Sequence, residues 1–162
     1  MFEWLESTTL ATWVKESWGW PLALTLHAFG SAIMVGFSFI MGLRLMGLFR
    51  TIPASALQKL IPFIWVCLGI QAASGGLLWL TKPARYLTDG LFDVKMMFVA
   101  LGIAMTLQFQ KTIRAEVAGW ESTGKVSQAG LRFVGLTAFA WAGVLVMGRL
   151  TAYLGQLYHV SQ

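Results

Sequence analysis

The sequence predicts an all-α integral membrane protein, a four-helix bundle of up-down-up-down topology. The first observation is composition: 57% of the 162 residues are hydrophobic and only 12% are charged, whereas a soluble domain carries roughly 25% charged residues. The second is a mean hydropathy of +0.67. The third is the arrangement of the apolar residues in four stretches, each near the length of about 20 residues that a bilayer core requires.

The four predicted spans cover residues 21–47, 60–81, 92–110 and 133–158. The first is uncharged from Pro21 to Leu43 and the second throughout, whereas Lys95 interrupts the start of the third and Arg149 lies inside the fourth. The loops between them are short, which favours antiparallel neighbours. Residues 21–162 therefore form one transmembrane domain in this interpretation.

Residues 1–20 have a different character, because they combine five tryptophan or phenylalanine residues with acidic and basic ones before Pro21. Tryptophan is enriched where a membrane meets water, and short amphipathic helices often lie in that plane. The sequence predicts a short interfacial N-terminal segment here.

Basic residues are unevenly distributed between the two ends of the predicted bundle. The loops after the first and third spans, with their edges, hold seven of them: Arg44, Arg50, Lys59, Lys111, Arg114, Lys125 and Arg132. The other end holds Lys15, Lys82, Arg85 and Lys95, with the intramembrane Arg149. The positive-inside rule then predicts that both termini lie outside the cell's cytoplasm, which is the periplasm if the source is Gram-negative. The same pattern explains the net charge of +5 by topology, so no nucleic-acid partner is expected.

His27 lies within the uncharged run from Pro21 to Leu43 and is one of only two histidines. A polar residue at such a depth usually serves a ligand, a proton or a partner. His27 shares a helical face with small and sulfur-containing residues, namely Gly30, Ser31, Met34, Ser38 and Met41. Similar stripes occur on the second span (Cys67, Gln71, Ser74, Gly75, Leu78) and on the fourth (Arg149, Tyr153, Gln156).

The depths of these polar residues coincide. With both termini on one side, His27 and Arg149 lie roughly 10 Å below that surface, at 1.5 Å per residue, and Lys95 enters from the same side. The sequence therefore predicts a cofactor site in the periplasmic half, formed by His27, Lys95, Arg149, Tyr153 and Gln156, with His159 at its rim. The alternatives are that the side chains of Lys95 and Arg149 only snorkel to the lipid headgroups and that His27 is a core histidine hydrogen-bonded to the backbone.

Several chemistries fit this set. A b-type haem would take His27 as its axial metal ligand and Arg149 and Lys95 as propionate partners, with His159 as a second ligand only if the fourth helix extends. A quinone would accept hydrogen bonds from the histidine and the arginine. Copper handling would use His27, Cys67 and the methionines as soft ligands, although their spacing is not close. An accessory or anchoring subunit would need no ligand.

The remaining motifs narrow the functional classes. The sequence contains no HExxH, CxxC, CxxCH or phosphate-binding glycine loop. All acidic residues lie near span ends or in loops, so no carboxylate is placed to relay protons through the bilayer. Catalysis by this chain alone is not expected.

Five stretches carry a resemblance: WP (20–21), LHAFG (26–30), LRLMG (43–47), FDVK (92–95) and GRLTAY (148–153). In these, the chain is similar to an uncharacterised family of bacterial four-span inner-membrane proteins, itself loosely similar to copper-resistance membrane domains and small b-type cytochromes. The chain departs from the family pattern at Gly42, where family members often have an acidic residue, and at Asp89-Gly90, where they tend to have an asparagine. The resemblance implies that His27, Arg44, Lys95 and Arg149 are the positions of functional interest.

The leading hypothesis from the sequence is a small redox-associated membrane protein that binds a b-type haem or a quinone. Copper handling and an anchoring role are the alternatives. Besides the lipid bilayer, the expected partners are further copies of the chain or a larger membrane complex, because small residues spaced four apart permit close helix packing.

Overall fold

A computed structural model describes the backbone of residues 2–160 and the side chains of residues 2–153. Within that range the fold is entirely helical, which confirms the predicted fold class. The helices are α1 (Glu3–Glu6), α2 (Thr9–Glu16), α3 (Gly19–Leu45), α4 (Ser55–Gln58), α5 (Ile61–Thr81), α6 (Pro83–Leu87), α7 (Gly90–Thr123) and α8 (Gln128–Val160).

Four of these helices are long and apolar enough to cross a membrane: α3, α5 together with the α4 turn before it, α7 and α8. Their outward surfaces carry large apolar side chains that are more than half exposed, among them Phe29, Phe63, Val66, Met97 and Phe139. Soluble monomers rarely expose apolar surface on this scale. The surface therefore fits a multi-pass membrane protein, in which lipid covers these side chains.

The four long helices form an antiparallel bundle. The closely packed neighbours are α7 with α8, α3 with α5, and α3 with α8, whereas α5 and α7 do not pack closely along their length. We call the half that contains the start of α3 and the α5–α7 connection the terminal half. The half that contains the α3–α5 and α7–α8 connections is the loop half.

Helix α7 is longer than the predicted span 92–110. The Asp89 side chain caps its start by accepting a hydrogen bond from the Leu91 amide at 3.0 Å, and Gly124 ends it in a left-handed conformation at φ +66°. Between Gln110 and Thr123 the sequence is polar but contains no proline, so the helix continues beyond the apolar stretch. With 34 residues, α7 is about 51 Å long, against about 30 Å for the hydrocarbon core.

The N-terminal segment forms α1 and α2, which pack against α3 and α5 in the terminal half. The Thr8 side chain accepts a hydrogen bond from the Ala11 amide and so caps α2. Ala11 and Val14 are buried against the bundle, whereas Trp4 and Trp18 are 67% and 83% exposed. This division into a buried small face and an exposed tryptophan face suits the predicted interfacial position.

The apolar core lies mainly in the loop half. Its largest fully buried members include Trp141, Phe109, Met41 and Ile64. In the terminal half, polar side chains take the place of this core.

Candidate functional site

The terminal half contains a cluster of polar side chains from three helices, centred on His27 of α3. Ser74 of α5 lies 3.1 Å from the Nδ1 atom of His27, and Lys95 Nζ of α7 lies 3.4 Å from Nε2. Measured from the helix ends at 1.5 Å per residue, His27 is about 12 Å, Ser74 about 10 Å and Lys95 about 8 Å inside the bundle. The three side chains therefore meet at one level.

The hydrogen bonds of Ser74 assign the tautomer of His27. Ser74 Oγ donates its single proton to the Ile70 carbonyl at 2.6 Å, so towards His27 it acts as an acceptor. Nδ1 of His27 then carries the ring proton and donates it to Ser74. Nε2 is left with its lone pair, directed at Lys95, which donates to it.

The backbone at His27 is also held. Its carbonyl accepts hydrogen bonds from Ser31 Oγ at 2.9 Å and from Gln71 Nε2 at 2.8 Å. Gln71 Nε2 also donates to Ser31 Oγ. With the amide in this orientation, the buried Oε1 of Gln71 has no hydrogen-bond partner among the described residues. The cluster thus contains an unsatisfied acceptor beside the histidine.

Glycines make room for these side chains. A Cβ atom at Gly75 would lie 3.1 Å from Cε1 of His27, and one at Gly30 would lie 3.3 Å from Cγ of Gln71. On the far side, a Cβ at Gly148 of α8 would lie 3.6 Å from Lys95 Nζ. Any larger side chain at Gly75 would displace the imidazole ring, because contacts of 3.0–3.4 Å are tighter than ordinary van der Waals separation.

Lys95 is a half-buried cation without a carboxylate partner. Among the described side chains the one ion pair joins Lys15 to Glu6, at 3.3 Å, in the N-terminal segment. Asp93, which precedes Lys95 by two residues, is exposed. A lysine at membrane depth without a counter-ion is free to donate to a ligand that carries oxygen acceptors.

The structure brings together two of the residues predicted for the site, His27 and Lys95. Arg149 is exposed and makes no hydrogen bond or ion pair within the described residues, and Tyr153 is 62% exposed. The side chains of Gln156 and His159 lie outside the described residues.

The soft side chains considered for copper are spread through the molecule. Cys67, Met34 and Met41 are buried in the apolar core of the loop half. Among the described residues, no three of the histidine, cysteine, aspartate and glutamate side chains are close enough together to hold a metal ion. His27 is therefore the one described metal-ligating side chain in the polar cluster, and the copper hypothesis gains no ligand set here.

Ser74 and Gln71 are the members of the cluster that the predicted site did not include. They lie on the polar stripe of the second span, at the same depth as His27. Because consecutive spans run antiparallel, their depth in the second span could have indicated that Ser74 and Gln71 lie beside His27. No protein-family model, curated protein or solved structure matches this chain. The resemblance to a bacterial inner-membrane family stays a prediction.

Proposed function

We propose that this protein is a small, redox-associated, multi-pass protein of the bacterial inner membrane that binds a quinone in the terminal half of its bundle. The observation that carries the proposal is the pairing of His27 and Lys95. Their facing nitrogens, Nε2 and Nζ, are 3.4 Å apart at membrane depth, and Ser74 fixes the imidazole from its other side.

This pair suits both oxidation states of a quinone. A quinone oxygen requires a hydrogen-bond donor, which the Lys95 ammonium supplies. A quinol hydroxyl requires an acceptor, which the lone pair of His27 Nε2 supplies. The same cluster also contains a buried acceptor, Gln71 Oε1, which has no hydrogen-bond partner among the described residues. Flexible rotation of the lysine side chain would open space between the two nitrogens for the headgroup.

The distribution of basic residues supports the proposed orientation. Seven of the twelve lie at the loop end, which the positive-inside rule favours as the cytoplasmic end, with both termini in the periplasm. The quinone would then be bound in the periplasmic half.

A b-type haem is the second candidate, because Ser74 leaves His27 with an unprotonated Nε2, as metal-ligating histidines require. The residues present fit a haem less well. Lys95 Nζ stands on the lone-pair side of Nε2, where the iron would be, and Arg149 is exposed rather than directed at the cluster. A bound haem would supply one-electron redox chemistry, with His27 as its ligand.

Quinone retention tests the proposal. The purified protein is reconstituted into lipid nanodiscs that contain a short-tailed ubiquinone, washed, and extracted for quantification. Replacement of His27 by Gln or of Lys95 by Met is expected to lower the affinity about tenfold, the usual effect of losing one hydrogen bond to a charged or polar partner. Lys82→Met, which removes an exposed lysine from the same end, is the matched control.

Equal quinone retention in all four proteins would contradict the proposal. Absorption spectra of the oxidised and dithionite-reduced protein separate it from the second candidate. A Soret band that is lost in His27→Ala would assign a haem instead.

A further inference from the structure

We propose that the loop half contains a binding site for one anionic phospholipid, in a cleft between α5 and α7. The cleft has a volume of about 320 Å³ and is lined by Gln58, Ile61, Pro62, Trp65, Gln110 and Arg114. Small-molecule sites span roughly 300–1,000 Å³. It lies at the opposite end of the bundle from His27 and does not depend on the proposed quinone site.

The cleft lies where side chains from α4 and α5 contact α7, although α5 itself does not pack closely against α7. Trp65 donates its indole N–H to Gln110 Oε1 at 3.0 Å, and Gln58 donates to the Ile113 carbonyl at 3.2 Å. Among the lining residues, Pro62 and Arg114 are exposed. We infer from their exposure that the cleft is open on the outer surface of the bundle, where lipid would reach it.

The depth of the lining residues matches an amphiphile. Ile61 is about 30 Å from the other end of α5, and Gln110 is about 30 Å from the start of α7, so both lie at the boundary of a hydrocarbon core of that thickness. By the same measure Arg114 lies about 36 Å from the start of α7, at headgroup level. Trp65 lies about 24 Å from the C-terminal end of α5, inside the hydrocarbon core. The lipid headgroup would then contact Arg114, and an acyl chain would pack against the indole ring of Trp65.

Charge selects the headgroup. The loop end holds seven of the twelve basic residues but only two of the seven acidic ones, Glu116 and Glu121, so it carries all of the formal net charge of +5. Arg114 makes no ion pair or side-chain hydrogen bond within the described residues. Its guanidinium is free to bind a phosphate through two hydrogen bonds, the geometry for which arginine is best suited.

Native mass spectrometry tests this site. The protein is released from mixed micelles that contain equal amounts of phosphatidylglycerol and phosphatidylcholine, and the bound lipids are counted. We expect one phosphatidylglycerol in preference to phosphatidylcholine. Arg114→Gln should reduce its retention about tenfold through loss of the charged hydrogen bonds, whereas Arg114→Lys should keep most of it.

Arg132→Gln is the control, because it removes one positive charge from the same end without touching the cleft. An equal loss in Arg114→Gln and Arg132→Gln would overturn the proposal, since it would indicate diffuse attraction to the basic end. Equal retention of the two lipids by the unaltered protein would also overturn it. Displacement of the lipid by millimolar inorganic phosphate would overturn it in favour of a simple anion site.

Discussion

The α7–α8 and α3–α5 interfaces share one packing arrangement but differ in the kind of side chain that it accommodates. In each, a glycine on one helix leaves room for a large side chain from the other. Between α7 and α8 the inserted groups are aromatic rings: Trp141 against Gly102 and Phe98 against Gly143. Between α3 and α5 the inserted group is the imidazole of His27, against Gly75.

The contents of the two interfaces differ in what they stabilise. Aromatic rings packed on glycine gain dispersion energy from many contacts and satisfy their polar atoms locally. Trp141, for example, donates its indole N–H to the buried Thr106 at 3.1 Å. The His27 interface instead leaves Gln71 Oε1 without a hydrogen-bond partner in the part of the chain whose side chains are described. An interface that holds an unsatisfied polar atom is less stable than it could be, which is typical of a site kept for function.

The largest expected effect is on Trp141, which is 1% exposed. Trp141→Ala would remove the ring from the core of the loop half and leave a cavity. It should lower the free energy of unfolding by about 3–5 kcal/mol. Titration with sodium dodecyl sulfate in mixed micelles measures this. Trp18→Ala, at an 83% exposed position, is the control and should change it by less than about 1 kcal/mol. Similar losses in both would mean that Trp141 is not a core anchor.

Overpacking the aromatic interface should have the next largest effect. A Cβ atom at Gly143 would overlap the ring of Phe98, which forces the ring or the helix to move. Gly143→Ala should therefore cost about 1–3 kcal/mol in the same titration. Gly135→Ala, where a Cβ meets nothing within 4 Å, should be neutral or stabilising. A neutral Gly143→Ala would show that α7 and α8 are farther apart than described.

The matching change in the polar interface should affect binding more than stability. Gly75→Ala places a methyl group 3.1 Å from His27 Cε1 and would turn the imidazole away from Lys95. We expect a severalfold loss of quinone retention and a stability change below about 1 kcal/mol. Gly76→Ala is the control, since a Cβ at Gly76 contacts nothing within 4 Å. Quinone retention that is unchanged by Gly75→Ala would show that the glycine has no role in quinone binding.

The smallest expected effect is that of Arg149→Gln. Because Arg149 is exposed and makes no hydrogen bond to His27 or Lys95, its replacement should leave quinone retention within about twofold of the unaltered protein. A loss as large as that of Lys95→Met would return Arg149 to the binding site.

The sequence was sufficient to predict the fold class and the proximity of His27 and Lys95. Apolar stretch length specifies α3 and α5 closely, since lipid imposes one requirement on every spanning residue. The length of the apolar stretch underestimated the length of α7, because the polar residues that follow Gln110 are also compatible with an α-helix. Depth along each span correctly brought His27 and Lys95 together. Depth does not determine the rotation of a helix about its axis, so the outward position of Arg149 and the contact of Ser74 with His27 required the structure.

The tautomer of His27 tests the central claim most directly. With only two histidines in the chain, nitrogen-15 NMR of histidine-labelled protein in micelles resolves both, and the spectrum of His27→Gln assigns them. The structure predicts a neutral imidazole protonated at Nδ1, whose Nε2 resonance shifts when ubiquinone is added while that of His159 does not. A ring protonated at Nε2, or an Nε2 resonance that ignores the quinone, would contradict the proposed site.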